Sequence, residues 1–150
     1  MKFFLITSFC FVFSHVAFGQ MEEESAIHAV LEAETQDYLL KPIQEIWKNY
    51  WILDDKTTLF LHTPDGATNI FDKNALLELP NIVTGDERAK IEQSNFNFQF
   101  FGDMAVVSYE SKIVIQEESI TVLSLEMRQM KKVNGKWLNH IATIIQNITQ

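Results

Sequence analysis

Asn95-Phe-Asn-Phe-Gln-Phe100 alternates polar and aromatic residues, and this period of two is typical of a half-buried β-strand. Phe101-Gly-Asp103 interrupts the alternation. Two longer runs rich in apolar and β-branched residues follow, from Met104 to Ile115 and from Ile120 to Val133, with Gln116 to Ser119 between them. The stretch therefore predicts a three-strand antiparallel meander, and we expect the rest of the chain to pack against it.

A hairpin and a final strand complete this part of the chain. Asn134-Gly135 is a strong hairpin signal, because both central residues of a type I′ turn need positive φ. Trp137 to Ile148 then returns as the last strand. Strands of this length predict a sheet that twists and curls strongly.

The segment before the meander predicts helices. A polar lead-in, Met21 to Glu24, precedes Ser25, which is a suitable cap for a first helix. Its apolar stripe carries one carboxylate, Glu34, which either lies at the edge of the stripe and reaches solvent or points into a cavity. The stripe consists of Ile27, Val30, Leu31, Glu34 and Tyr38.

A second, aromatic helix face follows Pro42 and consists of Ile43, Ile46, Trp47, Tyr50 and Trp51. Thr57 to His62 predicts a short strand, and Thr63-Pro-Asp-Gly66 a turn. Asp72 is a suitable cap for a third helix that ends at Leu79, and Asn81 to Glu92 is interpreted as a connector. Segregated helices and antiparallel strands predict an α+β fold with a cone-shaped, curled sheet around the N-terminal helices.

The first 19 residues have the pattern of a signal peptide. Lys2 supplies a short basic region, an apolar run from Phe3 to Phe18 follows, and Ala17 and Gly19 are small residues at the positions read by signal peptidase. The alternative is a membrane anchor, but the run is short and an acidic segment follows it at once. We therefore expect export, to the periplasm or the medium, and a single mature domain of residues 20–150.

Composition excludes several function classes. The formal charge is −8, and removal of Lys2 makes it one unit more negative, so nucleic acid is a poor partner and no membrane span is expected in the mature chain. The only cysteine, Cys10, lies in the signal segment. His28, His62 and His140 lie on separate elements, so neither a metal site nor a cofactor is expected.

Four local patterns resemble the nuclear transport factor 2-like superfamily, which includes ketosteroid isomerases, polyketide cyclases and many small secreted proteins of unknown role. They are Ile27 to Tyr38 for a first helix, Trp47 to Asp55 for a second helix with an acidic end, Phe96 to Tyr109 with Gly-Asp-Met-Ala at its turn, and Asn134-Gly-Lys-Trp137 for the last hairpin. The resemblance implies a conical barrel with an apolar cavity, and for many members a dimer formed through the sheet.

The resemblance also implies candidate catalytic residues. Tyr38 lies on the helix where the isomerases carry a tyrosine, and His62 precedes a Thr-Pro pair where they carry their base. The cyclases' acid on the last strand is missing, since no Asp or Glu follows Glu126. His140 lies near that position, but strand alternation places it opposite Trp137, and only a bulge would turn both inward. The catalytic candidates are therefore His62, Glu34 and Tyr38, with Tyr50 as an alternative phenol.

Three functions remain open from the sequence. The preferred one is binding of a small apolar or amphipathic ligand in the cone. The others are an isomerase, dehydratase or cyclase, and a non-catalytic dimeric interaction domain whose cavity is filled by aromatic and Met side chains. If a pocket exists, we expect five residues to line its mouth: Trp47, Tyr50, Trp51, His62 and Tyr109. Because this set contains no Arg or Lys, it favours an amphipathic ligand over an anion.

The meander also predicts a homodimer. One face of the run Met104 to Ile115 carries Ala105, Val107 and Tyr109, while the other still contains apolar residues such as Val106. The following run shows the same two-sided apolar pattern. Apolar residues on both faces of a sheet imply that both faces are covered, so we expect a second copy on the outer face.

Overall fold

The computed structural model describes residues 4–83, 88–115 and 120–149, and for residues 4–18, 120, 148 and 149 it describes the backbone only. Within these residues, the four longest strands follow all the helices, as expected for an α+β fold, and there are three helices and six strands in all. They are α1 (Phe4–Leu40), α2 (Ile43–Tyr50), β1 (Thr58–His62), β2 (Thr68–Asp72), α3 (Lys73–Glu78), β3 (Lys90–Phe101), β4 (Met104–Ile115), β5 (Ile120–Val133) and β6 (Lys136–Thr149). The predicted break at Gln116 to Ser119 and the basic Met1-Lys2 lie outside the described residues.

The strands form one curled, unclosed sheet in the order β2-β1-β6-β5-β4-β3. All neighbours are antiparallel except β1 and β6, which run parallel. The predicted meander is therefore confirmed as β3 to β6. Asn134 and Gly135 have φ values of 52° and 80°, which is the positive φ that a type I′ hairpin needs.

The prediction for the region before the meander was wrong in two places. β3 begins at Lys90, inside the predicted connector, because a bulge at Asn95 (φ 57°) lets the strand continue on both sides of a break in its register. β2 was not predicted. Its burial is low and it lies at the sheet edge, so its residues lack the apolar alternation by which a strand is recognised.

The first helix is also longer than expected. The predicted start at Ser25 was wrong, because α1 runs without interruption through the polar segment before it. Gln and Glu are good helix formers, and Gln20 Nε2 donates to Glu24 Oε1 one turn later. Among the described residues, no helix is long and apolar enough to cross a membrane.

The helices pack on one face of the sheet in two clusters. Ile27 and Leu31 of α1 are fully buried against Val107, Met130 and Trp137 of the sheet. A second cluster joins α2 and α3 to β1 and β6, and consists of Ile43, Ile46, Trp47, Trp51, Leu59, Leu76 and Ala142. Residues of this second cluster form part of the cavity wall described below.

A bulge in β6 decides where its polar side chains point. Gln129 pairs with Ile141 and Met130 pairs with Asn139, so His140 is the extra residue on β6. Asn139 is fully buried and His140 is 9% exposed. Both residues are therefore buried, as expected if a bulge occurs at this position.

Candidate ligand-binding pocket

A cavity of about 320 Å³ lies between the helices and the curled sheet. Its apolar wall comes from α2, β1, β4 and β6, and includes Ile46, Trp47, Trp51, Leu59, Ile113 and Ile144. Its volume is at the lower end of the range of about 300–1,000 Å³ typical of small-molecule sites. The twist of the long strands opens this space, since the sheet curls away from the short helix α2.

Four polar residues on the inner face of the sheet also line the cavity, and we call them the polar strip: Ser111 of β4 with Ser124, Glu126 and Arg128 of β5. All four are buried. They lie on one face because their positions on β5 alternate with the exposed Leu123, Leu125 and Met127. The cavity thus has a charged side and an apolar side.

Glu34 enters the cavity from α1 and is 7% exposed. Trp51 Nε1 donates to its Oε1 at 2.6 Å, and Asn139 Nδ2 donates to its Oε2 at 2.8 Å. Burial raises the pKa of Glu34 above its ordinary value of 4.5, although Arg128 and the two hydrogen bonds act in the opposite direction. The structure therefore agrees with the interpretation in which the Glu34 carboxylate points into a cavity, and not with the one in which it reaches solvent.

Glu126 and Arg128 form a buried ion pair. The Arg128 Nη2 and Nε groups donate to Glu126 Oε2 at 2.6 and 3.2 Å. The Tyr109 hydroxyl donates to the same oxygen at 2.8 Å, and the Ser124 hydroxyl donates to Oε1 at 3.3 Å. Burial raises the pKa of Tyr109, and the neighbouring carboxylates raise it further, so this phenol remains a donor.

The two tryptophans of the wall differ in their polar contacts. Their rings meet edge to face with centroids 5.2 Å apart. The Arg128 guanidinium lies 5.7 Å from the centre of the Trp51 ring. Trp51 also donates to Glu34, whereas the buried Trp47 Nε1 has no hydrogen-bond partner within the described ranges.

The structure brings together four of the residues singled out from the sequence. Among the described residues, the cavity lining includes Glu34, Tyr38, Trp47 and Trp51. It does not include three others: Tyr50, His62 and Tyr109.

Those three residues have partners elsewhere. The Tyr50 hydroxyl donates to Asp37 at 2.6 Å, and burial together with this carboxylate raises the pKa of Tyr50 to about 12. His62 Nδ1 lies 2.8 Å from the Thr68 hydroxyl on the neighbouring strand. Tyr109 is buried with its hydroxyl on Glu126, so it acts on the cavity through that carboxylate.

Sequence reasoning missed the polar strip. The signal was present: Ser124, Glu126 and Arg128 share a phase with Met130, while Leu123 and Leu125 take the other phase. Hydrophobic alternation predicts that the set with Glu126 and Arg128 faces solvent and that the set with the leucines faces the core. The structure has the reverse, because Glu126 and Arg128 pair with each other and the Tyr109 hydroxyl of β4 donates to Glu126.

His140 holds the segment that follows α2. Its Nε2 lies 2.8 Å from Asp54 Oδ1, and this hydrogen bond, with one from the Lys56 amide, lowers the pKa of Asp54. The adjacent Ile52 amide donates to the Asn139 carbonyl at 2.8 Å. His140 therefore positions the end of α2, and with it Trp51, against β6. Within the described ranges, His, Asp and Glu residues form no group suited to a metal ion.

No protein-family model matches the chain, and no curated protein matches it in sequence. Solved structures do match. A nuclear transport factor 2-like protein of unknown function from Shewanella baltica has 16% identity and a TM-score of 0.59, over 85% of this chain and 95% of that one. The association domain of C. elegans CaMKII has 17% identity and a TM-score of 0.67, over 85% and 98%.

A hexachlorocyclohexane dehydrochlorinase of type 2 is a more distant match, with 12% identity and a TM-score of 0.53 over 89% of this chain and 91% of that one. Proteins of unknown function, an association domain and an enzyme thus share one architecture. At these identities the likeness shows the fold alone. The chain has the nuclear transport factor 2-like fold, as the motifs in its helices, strand turn and last hairpin predict.

Proposed function

We propose that this protein binds a small amphipathic molecule in the cavity between its helices and its sheet. The observation that carries the proposal is the cavity itself, which combines an apolar wall with buried charged groups. Large apolar side chains supply most of the contact area, while a few fixed polar groups orient a ligand. A cavity filled by its own aromatic and Met side chains, as an interaction domain would have, is less well supported by an open volume of about 320 Å³.

Acid–base catalysis is the second candidate, and the raised pKa of Glu34 favours it. A buried carboxyl whose pKa is raised toward neutral pH is suited to proton transfer. Its two described partners are Trp51 and Asn139, whose indole and amide groups do not ionise at neutral pH. Tyr38 lies one helical turn from Glu34 and lines the same cavity, but it is 38% exposed. Glu126 is held by donors from three residues, Tyr109, Ser124 and Arg128, and we rank binding first.

We also propose that the protein is exported and processed after Gly19. The basis is the sequence pattern of its first 19 residues. In the structure, Glu23 accepts hydrogen bonds from Lys132 at 2.5 Å and from Trp137 Nε1 at 2.6 Å. A chain that begins at Gln20 would keep these hydrogen bonds between Glu23 and the sheet. N-terminal sequencing of exported material should begin at or near Gln20, and an intact N-terminus on that material would contradict the proposal.

A homodimer through the outer face of the sheet is part of the same proposal. Four side chains form an apolar patch there, which we call the outer patch: Leu123 (42% exposed), Leu125 (53%), Met127 (49%) and Ile145 (49%). Leu125 and Ile145 are direct cross-strand neighbours, so the patch is continuous across β5 and β6. An apolar patch on one face of a sheet is typical of an interface.

Tryptophan fluorescence tests the binding proposal, since Trp47 and Trp51 line the cavity. We expect saturable changes in emission on titration with octanol. Ile144→Phe, which fills part of the cavity, should weaken binding about tenfold or more. Ile145→Phe makes the same change one residue later on the opposite face and should leave binding unchanged. Binding that is indifferent to both substitutions would remove this cavity from consideration.

A further inference from the structure

The polar strip contains hydrogen-bond donors that the protein itself does not use. Arg128 bonds Glu126 through Nε and Nη2, so its Nη1 group has no role in that pair. In the described part of the chain, the Ser111 hydroxyl also takes part in no hydrogen bond, although Ser111 is 4% exposed and lines the cavity. Both residues line the cavity, so a ligand there can accept hydrogen bonds from these donors.

These two donors lie on the same inner face of neighbouring strands. Ser111 pairs with Ser124, and Arg128 lies four residues further along β5. The bonds of Arg128 to Glu126 direct its guanidinium back along the strand toward Ser124, which shortens the gap to Ser111. A planar group with two acceptor oxygens matches a guanidinium edge flanked by a hydroxyl.

The charged groups around Arg128 and Ser111 favour a ligand that accepts hydrogen bonds over a ligand that carries a positive charge. Glu126 already neutralises Arg128, and both oxygens of Glu34 already accept hydrogen bonds from Trp51 and Asn139. The guanidinium also lies over the Trp51 ring at 5.7 Å, where it would repel a ligand ammonium. Among the described residues that line the cavity, the carboxylates are thus already engaged, whereas Arg128 and Ser111 still have donors available.

We infer that the cavity takes a small monocarboxylate, with its carboxylate on Arg128 and Ser111 and its apolar tail against Ile46, Leu59 and Ile113. This inference rests on the proposed binding function and adds the head group. It also replaces the sequence-based argument against an anion, which assumed that no Arg or Lys joins the site. With water occupying about 30 Å³, the volume holds a tail and head of about ten non-hydrogen atoms, the size of octanoate.

The test compares octanoate with octanol and octylamine, which keep the chain and change the head, by calorimetric titration of the wild type and three variants. Arg128→Lys keeps a positive charge beside Glu126 but loses the planar fork. Ser111→Ala removes one hydroxyl and keeps the inference testable if the Arg128 variant fails to fold. Ser108→Ala makes the same change on the same strand, in the phase that faces away from the cavity.

We expect the wild type to bind octanoate at least about tenfold more tightly than octanol or octylamine. Arg128→Lys and Ser111→Ala should reduce this preference, and Ser108→Ala should keep it. The carboxylate assignment would be overturned if octanol or octylamine bound as tightly as octanoate or more tightly. It would also be overturned if both cavity variants retained the preference for octanoate. Neither result would contradict the binding function. Binding of none of the three probes would overturn the binding function, and the carboxylate with it.

Discussion

Trp51 and Trp47 are neighbours of equal size in one wall, but only Trp51 has a described partner for its ring N–H. Its bond to the buried Glu34 is 2.6 Å long. A hydrogen bond to a buried acidic group is worth about 1–3 kcal/mol, and its loss leaves the acceptor unsatisfied. The indole of Trp51 therefore does more than fill space.

Replacing each tryptophan by phenylalanine separates the bond from the packing. Both substitutions remove a similar volume, so we expect Trp51→Phe to lower the free energy of unfolding by about 1–3 kcal/mol more than Trp47→Phe does. Urea unfolding followed by circular dichroism measures the difference. Equal losses would mean that the bond to Glu34 contributes nothing measurable.

Glu34 should make stability depend on pH in a direction opposite to most acids. Burial raises its folded-state pKa above 4.5, so the folded chain holds this proton over a range in which the unfolded chain has lost it. Its contribution to the free energy of unfolding is fully present below pH 4.5 and is lost as the pH rises through the folded-state pKa. Asp54, whose pKa is lowered by His140, acts the other way.

The expected result is that the stability of the wild type relative to Glu34→Gln falls as the pH is raised from below 4.5 through the folded-state pKa of Glu34. Urea unfolding of both proteins at a series of pH values measures it. Glu32→Gln, at an exposed position of the same helix, controls for the loss of a carboxylate. A constant difference between wild type and Glu34→Gln at all pH values would mean that burial does not raise this pKa.

Residue-level prediction from the sequence succeeded where one element decides the outcome. Glu34 and the tryptophans could be singled out because helical spacing alone places them on an apolar face. Arg128 could not, since its burial depends on Glu126, which Tyr109 of β4 also contacts, and on the Trp51 ring that follows α2. Pairings between distant elements leave no periodic trace in the chain.

At the scale of elements, the bulge in β6 turns Asn139 toward Glu34 and His140 toward Asp54. A strand has a period of two, so one residue more or less reverses the direction of every side chain beyond it. The extra residue at His140 allows Trp137 and Asn139 to face inward together with Ala142 and Ile144 on the other side of the bulge.

Two variants separate the bulge from the side chain that occupies it. His140→Ala keeps the extra residue and loses the bond to Asp54, so we expect a loss of about 1–3 kcal/mol in the free energy of unfolding. Deleting His140 removes the bulge as well, and because Ile141 then follows Asn139 directly, the strand alternates regularly with Asn139 and Ala142 still facing inward. We therefore expect the deletion variant to keep the near-ultraviolet circular dichroism of the wild type and to lose about as much stability as His140→Ala, whereas loss of that signal would contradict the assignment of His140 as the extra residue.

Element prediction was accurate where local signals were strong. The Asn134-Gly135 turn and the Asp72 cap, whose side chain accepts from the Ala75 amide, are set by neighbouring residues. The edge strand β2 has no such signal and forms because β1 offers it a partner. The start of α1 was missed because the acidic segment before Ser25 is itself composed of helix formers.

At the scale of the whole molecule, the outer patch predicts self-association. Leu125 lies at its centre, with Ile145 on one neighbouring strand and Glu110 on the other. Leu125→Lys should convert a dimer to a monomer without unfolding it, because the new ammonium group faces solvent beside Glu110. Light scattering at micromolar concentration measures the mass.

The control for this substitution is Leu40→Lys. Leu40 is 60% exposed at the end of α1, which packs on the opposite face of the sheet from the outer patch, so this variant should remain a dimer. A monomeric wild type would contradict the proposed interface, as would dimers that form equally well in both variants.

The central claim is that the cavity binds the apolar part of a ligand, and isoleucine methyl resonances report on it directly. Ile46, Ile113 and Ile144 line the cavity, whereas Ile70 and Ile145 lie on exposed surface. In a methyl-labelled sample titrated with octanoate and, separately, with octanol, we expect saturable shifts of the three cavity methyls and unchanged positions for the two surface methyls. Shifts confined to Ile70 or Ile145, or no shifts with either probe, would contradict the claim.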